Sequence, residues 1–368
     1  MALGLNFGTG ADNDGETLFS AFTKINTILS TTTKLGNGDL QINGITIGKG
    51  NNSISSNIVI GNDAGSSITS SDNNTLIGLS AGRLITTGNA NTFIGIGCGE
   101  FNVIGQYNAF LGTNSWKSAL GSGNTFIGQG CGENNTDGYF NTFIGYTTGQ
   151  NSPTGSYGTF VGSLAGFNNG GQYNSFFGQG AGYNNQGGSS NTFLGQNSGN
   201  ANISGNNNTF VGANSGESYN ANSNTICLGW LSSCTASNQI TLGNTSNNLL
   251  RCAVTSITSL SDERDKTDII EISEGLEFVD KLKPVTFTWN QRDGSRIGDK
   301  SAGFIAQDLL ELQNESSIGE NLGLVTDIDP ERLEATYGNL LPVLVKAIQE
   351  LNLEVKSLKS EIELLKAI

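Results

Sequence analysis

The feature that most restricts this chain is a short phrase that keeps returning. It reads NTLIGLSAG at 74–82, NTFIGIGCG at 91–99, NTFIGQGCG at 124–132, NTFIGYTTG at 141–149, NSFFGQGAG at 174–182, NTFLGQNSG at 191–199 and NTFVGANSG at 208–216. The glycine closing its first half falls at 61, 78, 95, 112, 128, 145, 162, 178, 195, 212 and 229, in steps of 16 or 17. The next step, to Gly243, is 14, as expected where an array ends or changes. A period held over this many copies means stacked supersecondary units. The run N-T-F-I-G is β-branched and aromatic and is closed by Gly, which predicts a strand of about four residues. The segment that follows leaves no room for a helix, and NN, GG and NTDG are turn chemistry. A unit this small cannot bury its own face, but coil stacked on coil can. The fold class is therefore mainly β: a Gly/Asn-rich parallel β-roll or β-helix shaft.

Within T-F-I the Phe and the Ile point to opposite sides, because side chains alternate along a strand. One face fills the inside of the coil. The other needs a cover, and the simplest cover is another copy of the chain. The repeated Asn and Thr are expected to form ladders along the stack. The result is an intertwined homotrimer in expectation, and the repeats resemble the head repeats of trimeric surface adhesins and the shafts of phage tail fibres. A disordered Gly/Asn linker is disfavoured by the strict period with apolar residues in fixed places. An ice-binding solenoid is disfavoured because Thr occurs once per unit and not in paired rows.

Composition divides the chain near residue 258. Of 52 Gly, 45 lie in 1–258 and 7 in 259–368; of 50 charged residues (18 basic plus 32 acidic), 16 lie in the first part and 34 in the second. The net charge divides as −4 and −10, summing to −14. With no basic patch, nucleic acid is a poor partner. No stretch reaches the roughly 18 to 20 apolar residues that span a bilayer, so no membrane insertion is expected. The first thirty residues lack the basic start and apolar core of a signal peptide, and synthesis in a cytosol is the expectation. The chain has 5 Cys and no His. No CxxC spacing is present, so neither zinc nor any other metal or cofactor is expected. Cys98 and Cys131 occupy a repeat position where other copies put Ala, Ser or Thr, and they read as small buried fillers.

The two ends differ from the shaft. Residues 12–29, DNDGETLFSAFTKINTIL, place Leu18, Phe22, Ile25 and Leu29 on one helical face, with Asp14 as a cap. As an EF-hand loop begun at Asp12 the stretch fails, since the sixth and twelfth positions are Thr17 and Thr23. It resembles the opening of phage tail and baseplate proteins, and alternatively it plugs the first coil. At the other end, residues 276–290 predict a helix, a Pro break and a strand, and 301–312 a strand leading into a helix. From Leu340 to Ile368 the residues Leu344, Ile348, Leu351, Val355, Leu358, Ile362 and Leu365 step by 4, 3, 4, 3, 4, 3. That is a coiled-coil seam with branched residues at a and Leu at d, a pattern that by itself leans towards two strands. Pro342 fits the first turn. The domain expectation is thus a virion-attachment or capping segment at 1–45, a shaft at 46–258, and a C-terminal domain at 259–368 whose coiled coil covers about 340–368.

SDERDKTDI at 261–269 resembles the S-D-x-R-x-K-x-x-I opening of the S74 peptidase family, the intramolecular chaperone domains of phage tail spikes, tail fibres and endosialidases. GFIAQDL at 303–309 is similar to the second signature, with Gly303, Phe304, Ala306 and Gln307. YGNLLPVLVKAIQEL at 337–351 is similar to the closing helix, beginning at Tyr337. The resemblance spans about 107 residues of the C-terminal region and does not extend through the shaft. It implies a domain that trimerises the chain, helps the shaft wind, and then cuts itself off between Ser261 and Asp262, leaving a mature 1–261.

Without His a Ser-His-Asp triad is impossible, and a Ser261/Lys266 dyad is the available alternative. Lys266 acts as a base only if burial or a neighbouring positive charge, such as Arg264, lowers its pKa. Such burial would follow closure of the trimer, so cleavage would report completed folding. Asp265 is the second candidate base. If the bond after Ser261 breaks, direct attack by its own hydroxyl would close a four-membered ring. Attack on the Leu260 carbonyl with rearrangement, or activation of a water, is easier. The bland alternative is a capped helix start with solvated charges.

The function these features point to is a viral tail fibre or spike, assembled in the host cytoplasm. It would be seated on the virion tail or baseplate through its N-terminus and would bind a host surface receptor, a glycan among the candidates. The alternative is a trimeric cell-surface adhesin with a β-roll head and a non-cleaving chaperone. Membrane-bound transcription factors carrying the same self-cleaving domain are excluded by the missing transmembrane helix and basic domain. Paired carboxylates for glycan cleavage are not evident.

Overall fold

A computed structural model describes the chain outside residues 1–31, 36–37, 43, 55, 117–120, 217–220, 248, 254–258, 293, 295, 328 and 368. The amphipathic stretch at 12–29 lies outside the described residues. The chain forms two compact units, which divide between Gly243 and Asn244.

The first unit opens with three antiparallel strands, β1 (Thr32–Lys34), β2 (Leu40–Ile42) and β3 (Ile45–Gly48). β3 pairs antiparallel with β4 (Ile58–Ile60), and from there the ladder is parallel through to β15 (Ile240–Leu242). The strands between are three residues each: β5 (Thr75–Ile77), β6 (Thr92–Ile94), β7 (Ala109–Leu111), β8 (Thr125–Ile127), β9 (Thr142–Ile144), β10 (Thr159–Val161), β11 (Ser175–Phe177), β12 (Thr192–Leu194), β13 (Thr209–Val211) and β14 (Ile226–Leu228). Each is hydrogen-bonded to the coil before and the coil after it in the same chain, in strict register, as in Phe126↔Phe143 and Phe143↔Phe160. This is a β-solenoid of about ten turns. At ~4.8 Å per strand, the eleven steps from β4 to β15 span roughly 53 Å.

The register puts the central residue of every strand inside. Phe93, Phe110, Phe126, Phe143, Phe160, Phe176, Phe193 and Phe210 are buried and stack ring on ring at centroid separations of 4.5 to 5.0 Å. Such offset stacks add to the area term of burial. The stack explains one of the recurring glycines. A Cβ on Gly149 (φ +59°) would come within 2.5 Å of the Phe143 ring. The strand-closing glycine answers to the backbone instead: a Cβ on Gly145 (φ +140°) would lie 2.6 Å from the Gly162 carbonyl oxygen. Where one coil has Trp116 in place of that inner glycine, the indole stands edge-on to Phe110 and Phe126.

The Asn of each repeat is buried beside the Phe. Asn108 Oδ1 accepts the Asn124 backbone N–H at 2.9 Å, and Asn124 Oδ1 accepts that of Asn141 at 2.9 Å. The amide of Asn124 donates to the Gly138 carbonyl at 2.9 Å. Each buried amide thereby satisfies the coil behind and the coil ahead, as burial of a polar group requires. The Thr column points outward with the third strand residue. Cys98 and Cys131 are buried in the core, and at its C-terminal end a disulfide joins Cys227 to Cys234.

The second unit is small and mixed. Helix α1 (Leu276–Lys281) ends before Pro284, and β16 (Val285–Asn290) and β17 (Ile297–Gly303) form an antiparallel hairpin. Helices α2 (Ala306–Glu315) and α3 (Gly319–Leu322) follow, then the two-residue pair β18 (Val325–Thr326) and β19 (Glu334–Ala335). Helix α4 (Leu340–Lys366) is 27 residues long. Phe278, Leu309, Leu312, Leu322, Leu324, Val325, Leu340 and Val343 make the core. Leu340, Val343 and Ala347 tie the start of α4 into it, while Leu344, Ile348, Leu351, Val355, Leu358, Ile362 and Leu365 are all exposed.

Candidate functional site

Ser261 lies just ahead of a short 3-10 turn, Glu263–Asp265, whose N-cap is Asp262. Its carboxylate accepts the Arg264 backbone N–H at 2.9 Å and pairs with the Arg264 guanidinium at 2.6 Å. The guanidinium hydrogen bond holds the Asp262 carboxyl below its ordinary value. The turn delivers the chain back on itself, so that Lys266 Nζ donates to Ser261 Oγ at 2.5 Å and approaches the Ser261 carbonyl oxygen at 3.4 Å. Both members are exposed, and Leu260, Ile269 and Ile270 beside them are exposed as well. No hydrogen bond joins Asp265 to Ser261. Arg264 is engaged by Asp262, so its charge is already matched.

The capped turn and the serine–lysine pair therefore coexist. A protonated Lys266 polarises the Ser261 carbonyl; a neutral one accepts the Ser261 hydroxyl proton. Among the described residues, no three His, Cys, Asp or Glu side chains gather as a metal site, and no helix is long and apolar enough to cross a membrane.

The other two motifs meet one another in the same unit. Tyr337 Oη donates to the Phe304 carbonyl at 3.0 Å and accepts the Phe304 N–H at 3.2 Å. The two rings meet edge to face at 5.6 Å. Gly303 is required there, since a Cβ would sit 2.8 Å from the Tyr337 hydroxyl. Ala306 and Gln307 open α2 and, with Phe304 and Tyr337, line a groove of about 1190 Å³. The sequence did not single out Trp289 or Arg292, which complete that groove. Arg296 lies over the Trp289 ring at 4.5 Å. Nor did it reveal what the closing motif does. Glu350 of α4 accepts the Leu276 N–H at 2.7 Å and so caps α1. Lys346 pairs with Glu271 at 2.8 Å, ten residues beyond Ser261. The only signal in the sequence was the acidic residue fixed in A-I-x-E-L, and its partner lies 74 positions away.

The chain thus combines a repeat-built β-solenoid with a small domain whose helical seam is exposed. Residues 261–317 match the family described as Peptidase_S74, chaperone of endosialidase. The match begins at Ser261. A solved structure, the collagen-binding domain of the Yersinia adhesin YadA, is similar at 16% identity over 52% of this chain and 77% of that one. Its TM-score is 0.25, too slight a likeness to carry an argument. No curated protein sequence matches the chain.

Proposed function

We propose that the chain is a homotrimeric tail fibre or spike whose C-terminal chaperone aligns three copies and then releases itself by cutting between Ser261 and Asp262. The observation that carries this is the placement of Lys266 Nζ on both the hydroxyl and the carbonyl oxygen of Ser261, at the first residue of a chaperone-family domain. In the cut, water adds to the Ser261 carbonyl carbon. Lys266, neutral once dried, takes the water's proton through Ser261 Oγ and hands it to the Asp262 nitrogen as the C–N bond breaks. Ser261 Oγ, bonded to the same amine, orients that water. Closure of the trimer over this exposed segment would dry the amine and set the timing.

Assembly through α4 is supported by its charges as well as its seam. With Ile348, Val355 and Ile362 at a, Glu354 and Glu361 fall at g and Lys359 and Lys366 at e, the pairing that favours parallel helices. The shaft's backbone ladder is closed within each chain, so copies would meet there through side chains, on the exposed aliphatic residues that end the strands, such as Ile127, Ile144 and Leu194. Once the chaperone departs, the shaft cannot rewind by the same route and its persistence is kinetic. Seating on a virion tail or baseplate, assembly in a host cytoplasm and attachment to a host surface receptor complete the reading.

The test is expression of the whole chain followed by intact mass. Wild type yields a 1–261 fragment; Ser261→Ala and Lys266→Ala stay full-length; Asp265→Asn still cuts. A full-length wild type overturns the reading. Loss of cutting in Asp265→Asn with retention in Lys266→Ala transfers the base to Asp265.

A further inference from the structure

One column of the solenoid is more costly than it needs to be. The residue just before the buried Asn position, which is filled by Gly158 and Thr225 in two coils, is held in the left-handed region in coil after coil, with φ of +56° at Asn73, +59° at Asn207 and +57° at Asn224. Asn suits that conformation, and bulky residues are strained in it. Yet the column carries Tyr107, Phe140, Tyr157 and Tyr173 at φ of +58°, +57°, +58° and +58°. They are 69%, 59%, 47% and 57% exposed, so their rings gain little from burial in the chain. Strain without a packing return is a mark of function.

The rings are also organised. Phe140 and Tyr157 stack at 5.5 Å, and Tyr157 and Tyr173 at 4.9 Å. Phe140 leans over Gly123, where a Cβ would lie 2.7 Å from its ring. The next residue beyond Tyr173 is Ser190, too small to cover the outer face of the phenol. Coil-to-coil hydrogen bonds pin the backbone: the N–H groups of Phe140, Tyr157 and Tyr173 donate to the carbonyls of Ser122, Tyr139 and Ser156 at 3.1, 2.9 and 3.1 Å. The ladder is therefore rigid before anything binds, and ordering costs on binding are small.

The surroundings select the ligand. The residue before each ring is Gln106, Tyr139, Ser156 or Gln172, and two after it come Ala109, Thr142, Thr159 or Ser175. Hydroxyls and amides thus flank the rings, with no charge in any of the three columns over this stretch. The part of the chain that holds the ladder, residues 1–258, carries −4 (6 basic, 10 acidic), which disfavours anions. The stacked rings cover one another's inner faces, so the open outer face of Tyr173 meets the C–H face of a sugar, and neutral donors and acceptors along the ring edges match its hydroxyls. We infer that the Phe140–Tyr157–Tyr173 ladder, with Tyr107 beside it, binds a neutral oligosaccharide rather than a sialylated or phosphorylated one. The biological use of this site rests on the attachment reading above; the binding itself does not.

The test uses the whole chain on an array of neutral hexose and N-acetylhexosamine oligosaccharides with their sialylated and sulfated counterparts. The triple variant Phe140→Asn, Tyr157→Asn, Tyr173→Asn takes the residue that neighbouring coils already use, so the fold and its melting temperature are retained. The expected result is binding of a neutral glycan, weakened about tenfold or more in the triple variant and unchanged in Tyr183→Asn, an aromatic on another column. No neutral binder, a preference for anionic glycans, or equal binding by the triple variant overturns the proposal. So does a change of oligomeric state in the variant, which makes the ladder a contact between copies. Adhesion of labelled wild type to cells is measured in parallel. Adhesion that the triple variant keeps sinks the ladder and spares attachment; a ladder that binds glycan without adhesion does the reverse.

Discussion

From β5 to β14 every shaft strand has a partner from its own chain on both sides, and its central side chain is buried. In the C-terminal domain the opposite holds. The seven seam residues of α4 and the apolar residues around Ser261 all face solvent. The difference locates the work of assembly. Along its axis the shaft is complete within one copy, because each coil supplies the backbone and the ring that the next one needs. What it lacks is anything to fix how copies line up: a column that repeats every 17 residues looks the same after a slip of one coil. The C-terminal helix, with its mixed a and d residues and alternating charges, is not self-similar in that way. It can set the register that the shaft cannot.

The sharpest way to break this division is to charge the seam. Leu351→Asp with Val355→Asp is expected to turn the proposed trimer into monomers by light scattering and, in the same sample, to stop the appearance of the proposed 1–261 fragment by intact mass. Loss of the trimer with normal cutting would show that the serine–lysine pair needs no neighbour.

A second contrast separates the two kinds of stability. Phe143→Ala removes a ring stacked on both sides at 4.7 and 4.5 Å and is expected to destabilise the shaft by about 3–5 kcal/mol. Measured by thermal unfolding, its effect should be the same at every protein concentration. Leu358→Ala, on the seam, is expected to lower stability only through association, by an amount that grows on dilution. Concentration dependence in the first or its absence in the second would erase the distinction.

How much of this was legible beforehand follows the same line. The shaft was readable because its physics is local and repeated: T-F-I-G fixes strand, inner face and closing glycine together, and eleven copies remove the ambiguity of one. Asn and Thr were both expected to form ladders. The structure separates them, Asn inside on backbone N–H groups and Thr outside, which alternation alone could not decide because the Asn sits at the strand edge. In the second unit the helix–Pro–strand at 276–290 and the long seam were plain from periodicity. The roles of Glu350 and Tyr337 were not, since their partners lie 74 and 33 residues away. The Arg264 side chain illustrates the limit at the site itself. Its charge was legible, but its engagement by Asp262 depends on a turn that only the backbone reveals.

The smallest expected effect concerns charge, and it again divides the regions. In the shaft, burial governs: desolvation pushes the Cys98 thiol up to about 12. In the exposed C-terminal domain, partners govern. The Arg264 hydrogen bond lowers the Asp262 carboxyl, and the Lys346 hydrogen bond lowers that of Glu271, from ordinary values of 3.8 and 4.5. A carboxyl lowered on folding favours the native turn at neutral pH, keeps that contribution down to its unfolded value, and loses it as pH falls through the folded one. Nothing should change between pH 7 and about 5. Below that, the amide of Arg264 in two-dimensional NMR should titrate at a midpoint under 3.8, and high salt should move the midpoint back towards 3.8 because the pair is exposed. A midpoint at or above the ordinary value would mean that Asp262 is not held by Arg264 in solution. The guanidinium would then be free to act on Lys266, and the base at Ser261 would have the positive neighbour that the turn now denies it.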